Sequence, residues 1–362
     1  MNVSESDIRF IEGCISVLSE QVNDYKTNQD EEKLLSLYVY SDTLAQRLGK
    51  LIAPLTHRNT SEHIYSIEQW LLENQNNTHT PLPLCEKTAQ LHGKEISYNN
   101  LLDITAAVDL IDEFDEVTFA ILKHNNACGL ASRPVLLDAW KAALAGDPVS
   151  AFGGVLITNA PVDKETAEAI NELFFEVIIA PDYDLQALDI LCQKKNRIIL
   201  TRKPQAMPKL QFRTAMNGIL VQEKDSKTET PDDLRMVTSR MPSDEEIQDM
   251  LFANKIVKNS KSNSIVFAKN RQLLASGVGQ TSRVDALKQA VDKAHSFGFD
   301  LNGAAMASDA YFPFPDCVEL ADQAGVRNVI HPGGSIRDDQ SIDYCEKHGM
   351  TMAITGFRHF KH

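Results

Sequence analysis

The chain has 362 residues, 43% of them hydrophobic, and a formal charge of −14 from 36 Lys plus Arg against 50 Asp plus Glu. At roughly 150 residues per domain, that length predicts two or three domains with ample buried core, and the acidic balance argues against a nucleic-acid backbone as partner, because phosphate neutralisation needs clustered Lys and Arg. No run of about 18 apolar residues is present to span a membrane, the start MNVSESDIRF has no signal-peptide pattern, and six scattered cysteines suit reduced thiols in the cytoplasm better than disulfides or a zinc site.

In chain order, residues 4–27, 30–53 and 61–75 carry apolar side chains at helical spacing, with Asp30 and Ser61 placed as caps and Gly49 and Pro54 as stops. Residues 1–80 therefore read as a helical segment, of unknown role. A polar, Pro-spaced stretch at 76–83 has the look of a linker. From 85 onward, short apolar runs alternate with helical stretches. The runs at 117–122, 154–157, 177–180, 197–200, 265–268, 304–307, 328–330 and 352–354 read as buried strands of a layered α/β protein.

Residues 131–159 and 280–309 both run Ser-Arg, an Ala/Leu amphipathic helix, a Gly-containing turn and a strand, and each follows a strand ending in Lys. Two similar α/β units, 86–205 and 250–362, are the reading, with 206–249 as a bridge; chance likeness of helix-turn-strand segments is the alternative.

Several stretches could carry chemistry. Lys123-His124 follows a strand, where an α/β sheet presents groups to a crevice, and sets a cation beside a group that titrates near neutral pH. An inert surface pair is the commoner outcome for such a dipeptide. Cys128 close to a histidine suggests thiol chemistry weakly, against a buried thiol. The turn at 147–154 ends in Gly153-Gly154, which permits close approach of a ligand or simply a tight turn.

Gly277-Val278-Gly279-Gln280-Thr281-Ser282 has the spacing of a dinucleotide loop with Ser at the third Gly, its acidic partner falling at Asp300 after a helix rather than at a strand end, and it leaves an anion-binding turn with Arg283 open. His331-Pro332-Gly333-Gly334-Ser335 offers backbone N–H groups to an anion or is a plain turn. The aromatic run at 311–316 is either core or a wall for a flat heterocycle, with Asp316 bonding ring nitrogens. The polar run at 259–264 reads as a loop. The basic end at 355–362 follows a strand directly, which favours a docked tail over a frayed one.

Together, Gln90-Leu91-His92-Gly93-Lys94-Glu95, Lys123-His124-Asn125, the 147–154 motif, Ile178-Ile179-Ala180-Pro181, Lys194-Lys195-Asn196, Lys261-Ser262-Asn263-Ser264, Gly279-Gln280-Thr281-Ser282-Arg283, Ser308-Asp309-Ala310-Tyr311-Phe312-Pro313-Phe314 and Arg358-His359-Phe360-Lys361-His362 resemble the transformylase half of the bifunctional purine-biosynthesis family. The resemblance runs from about residue 86 to the end. It implies two cytidine-deaminase-like α/β/α units in tandem, without zinc, in a homodimer with shared active sites. It implies transfer of a formyl group from the cosubstrate 10-formyltetrahydrofolate to the 5-amino group of AICAR ribonucleotide, small-molecule partners only, with no nucleic acid or membrane.

By the same resemblance, His124 takes the proton from the attacking amine and Lys123 stabilises the charge on the formyl oxygen. Gly153, Glu176, Lys195, Asn263, Arg283 and Arg358 match nucleotide positions, Glu176 standing where some relatives have Asp. Val284, Tyr311, Asp316, Ser335 and Ile336 match folate positions, Tyr311 standing where Phe often occurs.

Two departures bear on function. No Ser-Thr-Gly-Gly-Thr or Lys-Thr-Leu-His-Pro motif of the cyclohydrolase half occurs, so these residues are not expected to close the purine ring. The family's Arg-Tyr-Gly-Glu-Asn-Pro-His-Gln segment, whose Arg and Tyr hold the nucleotide phosphate, is missing, and Arg58 is the nearest basic substitute by location. An active formyltransferase is therefore weighed against a weakened homologue that binds purine nucleotide or folate, with a regulatory or partner-binding helical segment.

Overall fold

The computed structural model describes residues 88–204, 207, 209–215 and 218–362; the expected helical segment 1–80, the linker and Arg58 lie outside them. The chain divides into two compact units, and Pro83–Lys209 with Glu223–His362 form the one that carries the main sheet. The first elements are β1 (Thr88–His92), α1 (Tyr98–Ile111), β2 (Thr118–Lys123), β3 (Asn126–Ser132), α2 (Leu136–Gly146), α3 (Pro148–Ala151), β4 (Val155–Thr158), α4 (Lys164–Asn171), β5 (Val177–Ala180), α5 (Leu185–Leu191) and β6 (Ile198–Arg202). A separate two-stranded sheet follows, β7 (Leu210–Ala215) with β8 (Gly218–Glu223). Then come β9 (Arg235–Met236), α6 (Asp244–Lys258), β10 (Ile265–Lys269), β11 (Gln272–Gly277), α7 (Arg283–Ser296), β12 (Ala305–Ser308), α8 (Asp316–Gln323), β13 (Asn328–His331), α9 (Asp338–Lys347) and β14 (Thr351–Ile354).

Among the described residues twelve strands form one mixed sheet in the order β1-β6-β5-β4-β2-β3-β11-β10-β12-β13-β14-β9. Strands β4, β5 and β6 run parallel, as do β12, β13 and β14. The remaining neighbours pair antiparallel. The order of elements in 88–202 recurs in 235–354: an edge strand, a helix, a hairpin, then strands separated by helices. At the middle of the sheet β3 meets β11 antiparallel, with Gln272 opposite Ala131 and the Ser132 N–H donating to the Arg271 carbonyl at 2.9 Å.

The eight apolar runs read from the sequence all fall on strands of this sheet. Their residues are buried on both faces, as the absence of alternation requires. In β2, Ala120 and Leu122 face α1, while Phe119 and Ile121 face α2. Residues of α1 and α6 share one apolar cluster that crosses the middle of the sheet. On the opposite face, α2, α4 and α5 cover the first half, and α7, α8 and α9 the second. Helices α1 and α6 open on the same device, a capping box, from Ser97 with Asn100 and from Ser243 with Glu246.

The sequence pattern does not predict strands β3 and β11. Their sequences, NACGLAS and QLLASG, are rich in small residues. Small residues are what the packing demands there, since a Cβ on Gly129 would fall 2.1 Å from the Ala143 carbonyl oxygen and one on Gly277 1.8 Å from that of Ala286.

Candidate active site

Lys123 ends β2, and His124 and Asn125 form the two-residue turn into β3, with Lys123 paired to Asn126. Both turn residues have positive φ, 52° at His124 and 65° at Asn125, the backbone of a type I′ hairpin loop. The turn is fastened from two sides. Asp103 of α1 accepts the Asn125 N–H at 2.6 Å, while the Asn126 side chain donates to the His124 carbonyl at 2.9 Å and accepts the Lys261 N–H at 3.0 Å. The His124 side chain is left exposed.

Lys123 Nζ donates to the Phe152 carbonyl at 2.7 Å, which brings it to the 147–154 motif. Within that motif, buried Asp147 accepts the Ser150 N–H at 2.8 Å and meets Lys293 Nζ at 2.5 Å, so its carboxylate is spent inside the protein. Gly153, at φ 72°, donates its N–H to the Phe174 carbonyl at 2.8 Å and has only the Phe174 ring near where a Cβ would stand. Phe152 and Phe174 pack ring to ring at 5.0 Å. Two residues on, Glu176 pairs with Lys94 at 2.6 Å. Lys195 lies exposed in the turn between α5 and β6, beside Lys194, whose carbonyl faces His92 Nε2 at 3.3 Å.

In the second half, Arg283 opens α7 and is buried. It donates to the Tyr311 carbonyl at 3.0 Å, to Asn263 Oδ1 at 2.8 Å and to Asp309 Oδ1 at 3.1 Å. Asp309 is fully buried and also accepts the Ser264 N–H at 3.2 Å. Asn263 in turn donates to the carbonyls of Gln280 and Thr281. Arg283 thus braces Asn263 and the segment before α8 rather than standing out as a free cation, and among the described residues its Nε is buried without a hydrogen-bond partner.

The glycine turn after β11 is closed by the protein's own groups: the Val278 N–H donates to Gln289 and the Gly279 N–H to the Lys261 carbonyl. A dinucleotide loop needs those amides free. The turn after β13 behaves alike, with the Gly333 N–H on His331 Nδ1 and the Gly334 N–H on Asp338.

On the side expected to take folate, Val284 follows Arg283 and is half-buried, as is Tyr311. Phe312 is core, packed against the His331 ring at 4.7 Å. Phe314 lies exposed under the Arg337 guanidinium at 4.6 Å, which ties the segment before α8 to the one before α9. Asp316 accepts the Cys317 N–H at the start of α8. Ser335 Oγ accepts the Arg337 N–H, and Ile336 is wholly exposed. A cleft of about 370 Å³ beside this turn is lined by Asp233, Arg235, Pro332 and Gly333, and by Thr355 and Gly356. The expected residues do not line it.

The C-terminal residues are docked. The Ser262 N–H donates to the Lys361 carbonyl at 2.9 Å, and Arg358 lies exposed with its guanidinium 3.8 Å from the centre of the Phe360 ring. Cys128, buried, has its thiol pushed up to about 12 by burial first and by Asp147 second, which leaves no thiolate for catalysis.

Six of the expected residues gather in two groups. Lys123, Gly153 and Glu176 are joined through Phe152 and Phe174, and Asn263, Arg283 and Tyr311 through direct bonds. The Asn126 to Lys261 bond links the groups across the middle of the sheet. Three residues that hold the arrangement, Asp103, Asn126 and Asp309, are not among those the sequence predicts for the site. Asp103 had a signal, since an aspartate recurs at the matching place in α6.

The family described as AICARFT/IMPCHase bienzyme matches residues 69–293. A bifunctional purine biosynthesis protein PurH of Bacteroides thetaiotaomicron is 72% identical over 273 residues, covering 75% of this chain and 54% of that protein. One from Chlorobium phaeobacteroides (strain BS1) is 49% identical over 276 residues, 75% of this chain and 53% of its own. One from Chlorobaculum parvum is 44% identical over 326 residues, 89% and 61%. The chain spans about half the length of the first two relatives.

Proposed function

From membership of the AICARFT/IMPCHase bienzyme family, to which this chain belongs, we propose that it transfers the formyl group of 10-formyltetrahydrofolate to the 5-amino group of AICAR ribonucleotide. The observation that carries the reading is the fastened hairpin turn, which sets Lys123 and His124 side by side and is bonded to both halves of the sheet.

The amine attacks the formyl carbon, the carbonyl electrons move onto oxygen, and the tetrahedral adduct collapses with loss of the folate N10, which leaves protonated. The amine is a poor nucleophile, because its lone pair is delocalised into the imidazole and the carboxamide. Removal of its proton and its orientation therefore carry much of the rate. His124 is the group to accept that proton, and its pinned backbone fixes where the imidazole can reach. Lys123 spends one N–H on Phe152 and keeps two for the oxygen as it becomes negative.

On this reading Gly153, Glu176, Lys195, Asn263, Arg283 and Arg358 serve the nucleotide, Arg283 through Asn263. Val284, Tyr311, Asp316, Ser335 and Ile336 serve the folate. The recurrence of element order in the two halves supports the tandem cytidine-deaminase-like reading. A cytoplasmic homodimer with shared sites belongs to the same reading, supported by the exposure of Ile336 and Phe314 on the folate side. Only the transfer step is assigned to these residues. Among the described residues no helix is long and apolar enough to cross a membrane.

The deciding experiment is a formyl-transfer assay on the purified chain beside His124→Ala. Turnover lost in the variant supports the reading. No turnover by the wild type at saturating substrates overturns it, and a thermal shift with nucleotide in that case identifies a binding homologue.

A further inference from the structure

The C-terminal strap, residues 355–362, leaves β14 and lies along the loop that carries Asn263. Its first two residues are tied back beside β14, the Thr355 N–H to the His331 carbonyl at 3.0 Å and the Gly356 N–H to the Pro332 carbonyl at 3.1 Å. Beyond them its backbone is bonded to the rest of the described residues at three points: the His359 N–H to the Asp309 carbonyl at 3.2 Å, the Ser262 N–H to the Lys361 carbonyl at 2.9 Å, and the Lys361 N–H to Ser262 Oγ at 3.1 Å. Between exposed Arg358 and Phe360, His359 is 2% exposed. Its Nδ1 lies 2.6 Å from Asp225 Oδ2, and its Nε2 lies 3.1 Å and 3.2 Å from the two oxygens of Glu229. An ionised carboxylate only accepts hydrogen bonds, so both ring nitrogens have to donate, and the ring is an imidazolium.

The other charged groups around this point are paired. Glu229 also takes the Asn254 side chain of α6 at 2.8 Å. Lys258 of α6 is held by Glu113 at 2.6 Å and by the Lys227 carbonyl at 2.8 Å. Lys227 reaches Asp233, and Lys224 pairs with Asp109 at 3.1 Å. Lys361 of the strap itself lies on the Asn259 carbonyl at 3.4 Å. Asp309, below the His359 N–H, is spent on Arg283. No other carboxylate bonds the His359 ring among the described residues.

We propose that His359, clamped as an imidazolium between Asp225 and Glu229, is the positioning residue that holds the C-terminal strap on the 259–263 loop and so sets Arg358 and Asn263 for the nucleotide. The part about the nucleotide rests on the function proposed above; the clamp itself does not. Deprotonation removes one N–H and turns a ring lone pair toward a carboxylate, so that one side of the clamp becomes repulsive. Beyond Gly356 the strap is then left on the backbone bonds at His359 and Lys361. Burial pulls the imidazole pKa down, but the bonds from Asp225 and Glu229 outweigh it and hold it up to about 9. The clamp is closed at neutral pH and opens in alkali.

The test uses the full chain and measures KM and kcat for both substrates from pH 6.5 to 10, with hydrogen exchange of the C-terminal peptide on the same samples. The wild type is compared with His359→Leu, His359→Gln and Glu229→Gln. The expected result is a rise in KM for AICAR ribonucleotide of about tenfold as the pH passes through about 9, a change in the folate KM of less than about twofold, and faster exchange of the strap over the same range.

His359→Leu shows the raised nucleotide KM already at pH 7.5 and no further rise, His359→Gln falls between, and Glu229→Gln moves the rise to lower pH. A His359→Leu nucleotide KM within about twofold of wild type, or a wild-type KM flat to pH 10, overturns the proposal. Should His359→Leu not fold, the Glu229→Gln profile decides, and an unmoved profile overturns it. A wild type without turnover defeats the proposed function, and strap exchange then judges the clamp by itself.

Discussion

Asp103 and Asp249 hold the same place in the two halves of the sheet. Each projects from the first helix of its half and accepts backbone N–H bonds from the hairpin turn there, Asp103 from Asn125 at 2.6 Å, Asp249 from Asn270 at 2.8 Å and Arg271 at 2.7 Å. The turns match, with φ of 52° and 65° at His124 and Asn125 against 53° and 50° at Asn270 and Arg271. One turn carries the proposed base and the other carries no assigned chemistry. The shared aspartate is therefore a device for holding a type I′ turn, which the first half has put to use.

Replacing either aspartate by alanine leaves turn amides without their partner, at about 1–3 kcal/mol for each amide that stays dry. Asp249→Ala is the more destabilising, since it strands two amides and the side chain is more deeply buried. Asp103→Ala is milder in urea unfolding but lowers turnover, because His124 loses its fixed backbone. Equal turnover losses in the two variants, after correction for stability, would contradict this division.

His124→Ala and Lys123→Ala should each cut kcat by about 10² to 10⁴, the usual worth of a positioned proton acceptor or oxyanion donor. Both residues are half-buried or exposed at the end of a strand, so melting temperatures should move little. Steady-state formyl transfer with a thermal melt checks both points. A His124→Ala enzyme with wild-type kcat would remove it from the mechanism.

Two buried histidines set opposite limits on stability. Folded His359 keeps its proton to about pH 9, whereas an unfolded imidazole loses it near 6.5, so its contribution is full below 6.5 and is lost as the pH rises through about 9. His331 is pulled down to about 3, first by burial and then by the Arg283 charge. Below 6.5 the unfolded chain takes up a proton that the folded ring refuses, and stability falls as the pH drops toward 3. At about 1.4 kcal/mol per pKa unit, the alkaline limb is worth roughly 3 kcal/mol and the acid limb roughly 5. Urea unfolding across this range should show both limbs, with His359→Leu flattening the alkaline one and His331→Leu the acid one; a His359→Leu curve parallel to wild type above pH 7 would refute the assignment.

Gly129→Ala and Gly277→Ala place a methyl group 2.1 Å and 1.8 Å from helix carbonyl oxygens. Backbone cannot yield there as a flexible side chain would, so α2 or α7 must lift from the sheet. The expected loss is on the order of 3 kcal/mol or more, read as a lower urea midpoint or absence of soluble protein. A Gly277→Ala protein as stable as wild type would mean the helix is not seated on β11.

The sheet was legible where strands are β-branched and buried on both faces, as in β5 (VIIA), because nothing else in a polar chain looks like that. Strands β3 and β11 were not, since their alanines and glycines answer to the helices pressed on them, a tertiary demand with no local signature. Of the proposed site, Lys123-His124 stood out by its place at a strand end. What holds it did not: Asn126 reaches Lys261 across the middle of the sheet, and Arg283 looked like an anion hook while its buried contacts make it a brace. Such roles depend on long-range pairing that periodicity does not report.

The antiparallel junction of β3 with β11 puts the two matching turns at opposite ends. At the far end, Arg133 lies on the carbonyls of Asn270 and Arg271 at 2.8 Å and 3.3 Å and on the Gln272 side chain at 2.9 Å. The second turn thus has a guanidinium on its carbonyls, where the first has the Asn126 side chain on the His124 carbonyl. A turn with no assigned chemistry answers only to the frame that holds it, so its side chains are free to vary as long as Asp249 keeps its two amides, and drift should be faster around Asn270 than around His124.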